Sequence, residues 1–246
     1  MKLALFDCDG TLVDSQNVIV AAMTRAFARA DLTLPPREAL LGIVGLSLLE
    51  AMRRLGGEDP QFPAERLAQL YREAFHELRA EPDFAEPLFP GVRRVLDHLA
   101  ARDDVVLGIA TGKSQRGVAA VLSHHGLQGR FVTIQTADDA PSKPHPAMVQ
   151  QAMAAVGAAP LDTVLIGDTS FDMVMARAAG ARAVGVTWGY HAPEMLRSSG
   201  AERLVSDSET LLAAMDELWA DSLRLVSPLP ASAEDRTERA ETADER

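Results

Sequence analysis

The stretch LFDCDGTLVDS, residues Leu5–Ser15, ends a short apolar run with two aspartates, Asp7 and Asp9, and continues directly into Gly10. Neighbouring carboxylates repel each other, and each costs free energy when it is removed from water. Packing alone therefore gives no reason to place two acids at the end of what reads as a buried strand. A compensating charge has to come from elsewhere in the chain.

The composition places bounds on the class of protein. The 246 residues are 47% hydrophobic and carry a formal net charge of −11, which argues against a nucleic-acid or anionic-membrane surface. The first apolar run, Leu3–Phe6, is too short for a signal-peptide core, and no run approaches the roughly 18 residues of a membrane span. The single cysteine, Cys8, cannot form an internal disulfide. We expect a cytoplasmic protein.

The order of apolar runs predicts the fold. From residue 91 onward, aliphatic runs alternate with helical patterns, which is typical of parallel strands buried on both faces. Between the first run and these lie about 65 residues with helical periodicity and no convincing strand. We therefore predict an α/β fold, a doubly wound parallel sheet core with an inserted all-helical cap. The predicted strands are residues 2–6, 105–110, 131–136, 163–167 and 181–187, and residues 202–205 form a further short element.

The predicted boundaries follow from this pattern. The core takes residues 1–14 plus 83–226, and residues 15–82 form the cap. Residues 227–246 contain six acids, three arginines and no aromatic residue, a composition typical of a disordered tail.

Chemistry-bearing residues follow three of the predicted strands directly. In doubly wound sheets, ligands bind beyond the carboxyl ends of the strands. Four carboxylates and two of the three lysines of the chain fall at this edge: Asp7, Asp9, Asp168, Asp172, Lys113 and Lys143. Arginine supplies most of the positive charge in this chain, so a retained lysine either meets a need for a compact ammonium group or is kept by chance. A divalent cation would also make the carboxylate cluster tolerable, and Mg²⁺ prefers such oxygen ligands.

Four motifs in order, DCDGT (7–11), TGK (111–113), KP (143–144) and GDTSFD (167–172), resemble those of the haloacid dehalogenase superfamily. The cap after the first motif is similar to that of phosphatases of the phosphoglycolate phosphatase type, and the resemblance covers residues 1 to about 220. It implies a Mg²⁺-dependent phosphomonoester hydrolase acting on a small cytosolic metabolite, phosphoglycolate-like or a sugar phosphate.

The resemblance also implies roles for individual residues. Asp7 would be the nucleophile that forms an aspartyl-phosphate, and Asp9 the general acid that later acts as base. Lys143 would balance the charge on Asp7, and Thr111 would bind phosphoryl oxygens at a helix N-terminus. Asp168 would hold Mg²⁺ together with Asp7 and the backbone carbonyl of Asp9. Further contacts to the substrate phosphate are expected from Gly10, Thr11, Gly112 and Lys113.

Several residues have a structural interpretation beside a functional one. Asp172 fits a helix capping box with Thr169, so it either supports the metal site or contacts the metal. Cys8 is expected to face the core, and His191 to lie at the surface. The loop Leu40–Glu50 either packs within the cap or lines the substrate pocket. Arg37, Arg53 and Arg54 are candidates to bind an acidic group of the substrate.

Two alternative functions stay open. A phosphosugar mutase shares every core motif and differs in how the cap excludes water from the aspartyl-phosphate. A non-catalytic regulatory protein on the same fold is the other, although no nucleophile, acid or metal ligand is missing from the motifs. Dehalogenation is disfavoured, because it needs no acid at Asp9. The sequence does not indicate an oligomeric state.

Overall fold

Six parallel strands form one sheet in the order β3-β2-β1-β4-β5-β6. The computed structural model of the protein describes residues 1–79, 81 and 85–226, and it describes only the backbone from 222 to 226. The strands are β1 (Lys2–Phe6), β2 (Val105–Ala110), β3 (Thr133–Gln135), β4 (Thr163–Gly167), β5 (Arg182–Val186) and β6 (Arg203–Val205). The predicted doubly wound α/β fold is confirmed.

Ten α-helices are present in the described part of the chain. Four of them lie between β1 and β2: α1 (Gln16–Arg29), α2 (Arg37–Leu41), α3 (Leu48–Gly56) and α4 (Ala64–Leu78). The other six connect or follow the strands: α5 (Val92–Ala100), α6 (Gln115–His124), α7 (Ala147–Val156), α8 (Ser170–Ala178), α9 (Pro193–Ser199) and α10 (Ser208–Val226).

Strand β1 lies at the centre of the sheet because its side chains are apolar on both faces. Successive side chains of a strand point to opposite faces. Leu3 and Leu5 accordingly join one buried cluster, with methionines of α7 and α8. Ala4 and Phe6 join the cluster on the other face, which includes Trp219 of α10. The strand that carries Asp7 is thus held between two layers of helices.

The cap has its own apolar core. Helices α1 and α4 pack along each other, and their buried side chains form a cluster with the loop between α2 and α3. Phe171, at the start of α8, belongs to the same cluster. The cap core therefore extends to the edge of the sheet where the predicted site lies.

The strand predicted at residues 131–136 is shorter in the structure, Thr133–Gln135. This strand lies at the edge of the sheet and pairs only with β2. Val132 is 66% exposed, so the apolar run does not mark a strand buried on both faces. An edge strand needs fewer buried residues than a central one, and short edge strands are common in natural sheets.

Two sequence predictions fall outside the described residues. The acidic tail, 227–246, is one, and the cap boundary at residues 82 and 83 is the other. The domain boundaries stay predictions. In residues 1–79, 81 and 85–226, no helix combines the length and hydropathy needed to cross a membrane.

Replacing Leu5 tests the central position of β1. Leu5 is fully buried, so we expect Leu5→Ala to lower the free energy of unfolding by about 2–5 kcal/mol, since it leaves a cavity in the core. Val132→Ala, at an exposed position, should change it by less than about 0.5 kcal/mol. Urea unfolding followed by circular dichroism measures both, and equal losses would contradict the packing described here.

Candidate active site

The predicted site residues meet because β1 pairs with both β2 and β4. Asp7 follows β1, Thr111 follows β2, and Asp168 follows β4, so all three leave the same edge of the sheet. Lys143 reaches the edge from the segment before α7. The positions that lie far apart in sequence thus come together at the end of one central strand.

Three carboxylates form a buried cluster at this edge. One oxygen from each of Asp7, Asp168 and Asp172 lies within 4.8 Å of the others. Lys143 Nζ lies 2.9 Å from Asp7 Oδ2 and 2.6 Å from Asp172 Oδ1, and its side chain is fully buried. Apart from this ion pair, Asp7 Oδ2 has no hydrogen bond within the described part of the chain.

Two glycines make room for the carboxylate of Asp168. A Cβ atom at Gly10 or at Gly189 would lie 2.2 Å from an atom of that side chain. Gly10 also has a φ of +85°, which favours glycine. In the space that remains, Thr11 Oγ1 donates to Asp168 Oδ1 at 2.9 Å, and the backbone N–H of Tyr190 donates to Oδ2 at 2.9 Å.

These contacts give Gly10 and Thr11 a structural role at Asp168. The Thr11 hydroxyl donates to Asp168, and Gly10 allows that carboxylate to approach. Neither residue lines the cavity described below, and their contact with the substrate phosphate stays a prediction.

Asp172 lies in the first turn of helix α8 and also forms an ion pair with Lys143. Thr169 Oγ1 donates to Asp172 Oδ2 at 2.6 Å, and the Thr169 N–H donates to the same oxygen at 3.1 Å. The predicted capping box is confirmed, since the Asp172 N–H lies in turn 3.3 Å from Thr169 Oγ1. With Oδ1 on Lys143, both oxygens of Asp172 have partners. Asp172 is therefore best suited to positioning the ammonium group.

Burial of the cluster has a clear electrostatic effect. Removal from water raises the pKa of Asp7 to about 7, although the charge of Lys143 opposes the rise. Burial, followed by repulsion from Asp7, raises the pKa of Asp168 well above its usual value. The cluster thus lacks positive charge, because three carboxyl groups share a single ammonium group and their formal charges sum to −2.

The site fits a divalent cation. Its donors are carboxylate oxygens, which hard cations such as Mg²⁺ prefer. A charge of +2 would balance the cluster, and Asp7 Oδ2 is a buried oxygen without a hydrogen bond. The proposed contribution of Asp9 concerns its backbone carbonyl and stays a prediction.

The side chain of Asp9 is held by a second buried ammonium group. Lys113 Nζ lies 2.7 Å from Asp9 Oδ1 and 2.8 Å from Glu86 Oε1. Glu86 Oε2 in turn lies 2.9 Å from Nε of Arg79, the residue after α4. Burial opposes the charge on Lys113, but the two neighbouring carboxylates raise the pKa of its ammonium group above the usual range. Lys113 stays charged and has both acids as partners.

No sequence pattern indicated this role of Glu86. It lies in a proline-rich segment that reads only as a linker, and its partner Lys113 is 27 residues away. The predicted contact of Lys113 with substrate stays a prediction, since the residue does line the cavity.

A cavity of about 650 Å³ lies between the cap and the sheet edge. Asp7, Asp9 and Thr111 lie on its wall, together with residues 43–49, which are the loop after α2 and the start of α3. This loop closely approaches Gly112: a Cβ atom there would lie 2.4 Å from the carbonyl oxygen of Gly45. Gly112 therefore allows the cap to close against the sheet edge. The pocket interpretation of the loop Leu40–Glu50 is supported.

Polar contacts join the cap to the core around this cavity. The Ser47 N–H donates to Ser142 Oγ at 2.8 Å, and His191 Nε2 lies 3.2 Å from the carbonyl oxygen of Gly42. His191 is 5% exposed, so its predicted surface position is wrong. Its other ring nitrogen accepts from the Ser170 N–H, which fixes the imidazole between cap and core. Cys8 is buried with Val13 and Val121, as predicted.

The three candidate arginines lie outside the cavity wall. Arg37 donates to Gln16, and Arg53 forms an exposed ion pair with Glu65. The guanidinium group of Arg54 stacks over the ring of Phe171 at 5.4 Å. None of the three lines the cavity. The expectation that one of them binds an acidic substrate group is not supported.

The chain is similar to proteins of known family. It is 34% identical over 220 residues to "Probable phosphatase IndB" of Dickeya dadantii, covering 88% of this chain and 94% of that protein. It is 31% identical over 216 residues to a phosphoglycolate phosphatase of Pseudomonas putida, covering 86% of this chain and 78% of that protein.

Solved structures and a family model agree with these relatives. The crystal structure of a hydrolase from Pseudomonas syringae superposes with a TM-score of 0.76 at 28% identity, covering 88% of this chain and 99% of that one. The model of the haloacid dehalogenase-like hydrolases matches residues 4–186. The resemblance of the four motifs is thereby confirmed, and the protein belongs to the haloacid dehalogenase-like hydrolase family.

Proposed function

We propose that the protein hydrolyses phosphate monoesters of a small cytoplasmic metabolite, with Asp7 as nucleophile. The observation that carries this proposal is the state of Asp7. It lies on the cavity wall at the end of β1, and its buried Oδ2 has the ammonium group of Lys143 at 2.9 Å as its ion-pair partner. A carboxylate that is buried beside one ammonium group is a better nucleophile than a fully solvated one, because less solvation must be lost during attack.

The first step transfers the phosphoryl group to the enzyme. A carboxylate oxygen of Asp7 attacks phosphorus in line, and the bond to the leaving alcohol oxygen breaks. The protonated form of Asp9 gives its proton to that oxygen, which avoids release of an alkoxide. Lys113 stays next to Asp9 and stabilises the carboxylate that this transfer creates.

The second step frees the phosphate. Asp9, now ionised, accepts a proton from a water molecule, and the oxygen of that water attacks the phosphorus of the aspartyl-phosphate. The bond between phosphorus and the Asp7 oxygen breaks, so Asp7 returns as a carboxylate and inorganic phosphate leaves. The closed cap keeps other water out of the site while the intermediate exists.

In this proposal, residues at the end of β2 and Lys143 bind the phosphoryl group. Thr111 lies on the cavity wall directly before α6, where backbone N–H groups favour anions. Lys143 lies beside Asp7 and offsets charge on both the carboxylate and the phosphoryl group. Asp7, Asp168 and the backbone carbonyl of Asp9 would hold Mg²⁺. When bound, the metal supplies positive charge that polarises a phosphoryl oxygen.

Hydrolysis is favoured over the two alternatives. The relatives described above carry phosphatase names, which supports release of phosphate over transfer to a second sugar hydroxyl. A non-catalytic protein would not need to keep the costly buried cluster of Asp7, Asp168 and Lys143.

Replacing Asp7 tests the nucleophile. We expect Asp7→Asn to lower phosphate release from p-nitrophenyl phosphate by at least about a thousandfold, because the amide has no nucleophilic oxygen anion. Asp104→Asn is the matched control, since Asp104 is exposed and lies before β2, at the opposite edge of the sheet. A folded Asp7→Asn variant that keeps more than a tenth of the wild-type rate would contradict the proposal.

Chelation tests the metal. With a chelator, turnover should disappear, and Mg²⁺ should restore it, because the cluster then regains its balancing charge. Mg²⁺ should also raise the melting temperature of the wild type but not that of Asp168→Asn, since a cation that binds only the folded state stabilises it. Full activity in the presence of a chelator would show that the reaction does not need a metal ion. Replacement of Mg²⁺ by Ca²⁺ tests the identity of the ion.

Lys143→Met tests the charge balance independently of activity. Removing this ammonium group leaves Asp7 and Asp172 without their cation in the interior, which should cost about 3–5 kcal/mol in urea unfolding. Lys2→Met removes an ammonium group from the pair with Asp104, and we expect a much smaller loss because water screens that pair. Equal stability of the wild type and Lys143→Met would show that the cluster does not need this cation.

A further inference from the structure

The cavity is larger than the reaction requires. Its volume of about 650 Å³ lies within the roughly 300–1,000 Å³ typical of pockets for drug-sized ligands. The leaving group of phosphoglycolate has only two carbon atoms. Asp7, Asp9 and Thr111 lie on the wall, so most of the volume is available to the alcohol part of a substrate.

The cap side of the cavity is mainly apolar. Its wall includes Ile19 and Met23 of α1, Leu46 of the loop after α2, and Tyr71 and Phe75 of α4. The rings of Tyr71 and Phe75 lie 5.6 Å apart at an angle of 39°. Lys113 Nζ and the guanidinium carbon of Arg79 lie 5.3 and 5.8 Å from the centre of the Phe75 ring, and another ring can pack beside this aromatic pair.

Two cations of the cavity wall, Lys113 and Arg79, already have partners. Lys113 contacts Asp9 and Glu86, and Arg79 contacts Glu86, so both basic side chains are already paired with acidic ones. Neither of them is free to bind an acidic group of the substrate. The other charged residues of the wall are exposed, two basic and two acidic, with one histidine: Arg72, Arg116, Glu73, Asp138 and His76.

We propose that the substrate, within the phosphatase function proposed above, is the phosphate monoester of an alcohol that carries an apolar ring. The ring packs against Tyr71 and Phe75 while the phosphoryl group lies at Asp7. A short acidic alcohol such as glycolate neither fills the apolar volume nor finds an unpaired buried cation. The cap thus selects against phosphoglycolate, although the chain resembles phosphoglycolate phosphatases.

Three esters with primary alkoxide leaving groups test this selection: 2-phenylethyl phosphate, ethyl phosphate and phosphoglycolate. Matching the type of leaving group limits differences in chemical reactivity, so kcat/KM reports mainly on the contacts in the cap. We expect 2-phenylethyl phosphate to exceed each of the other two by at least about tenfold, since even one added methylene group in an apolar pocket is worth that much. The assay measures phosphate release at saturating Mg²⁺.

Two variants test whether the aromatic rings of the cap select the substrate. Tyr71→Leu should lower kcat/KM for 2-phenylethyl phosphate by about two- to tenfold and leave that for ethyl phosphate unchanged, because only the former loses a ring contact. Phe62→Leu is the matched control. Phe62 lies in the same cap and packs against Phe27, but it does not line the cavity, so neither ester should be affected.

The outcomes separate this inference from the proposed function. Hydrolysis of phosphoglycolate or ethyl phosphate at a kcat/KM equal to that of 2-phenylethyl phosphate overturns the inference and leaves the phosphatase function intact. An equal effect of Tyr71→Leu on both alkyl esters overturns the role of the aromatic surface. No phosphate from any ester, p-nitrophenyl phosphate included, contradicts the phosphatase function and the inference together.

Discussion

The burial of Asp7 next to two further carboxylates is the constraint on which the rest of the site depends. Asp7, Asp168 and Asp172 are almost fully shielded from water and would repel one another strongly without Lys143 between them. The glycines at positions 10 and 189 belong to the same arrangement, because any side chain there would displace the carboxylate of Asp168. The sheet thus supports a charged cluster that remains short of positive charge, which is what a site for a divalent cation and a phosphate requires.

The proposed selectivity of the cavity depends on a second buried lysine. Lys113 neutralises Asp9 and Glu86, and Arg79 completes the pairing at the end of the cap. Cations that are paired in this way orient the general acid, but they offer little to an anionic leaving group. Recognition of the phosphate is therefore assigned to the sheet edge and recognition of the alcohol to the apolar cap, where charge contributes little.

The sequence predicts the sheet edge well and the cap poorly, for physical reasons. Three site residues follow strands directly: Asp7, Thr111 and Asp168. Because parallel strands bring their carboxyl ends to one edge of the sheet, the local sequence pattern and the strand topology together are enough to predict that these residues meet. The Thr169–Asp172 capping box is local as well. By contrast, Glu86 and His191 acquire their partners across 27 and 149 residues, respectively, from segments without a distinctive pattern. The sequence makes Arg53 a candidate to bind the substrate, but in the structure its side chain forms an exposed ion pair with Glu65.

Closure of the cap and selection of the substrate depend on the same loop. The carbonyl groups of Gly45 and Leu46 lie where any side chain at position 112 would clash, so backbone alone forms this contact. Leu46 also lies on the wall of the cavity. A ring that packs on the apolar wall would therefore stabilise the loop in the position that excludes water from Asp7. Because only the closed cap protects an aspartyl-phosphate, the fit of the alcohol would influence the chemical step as well as binding.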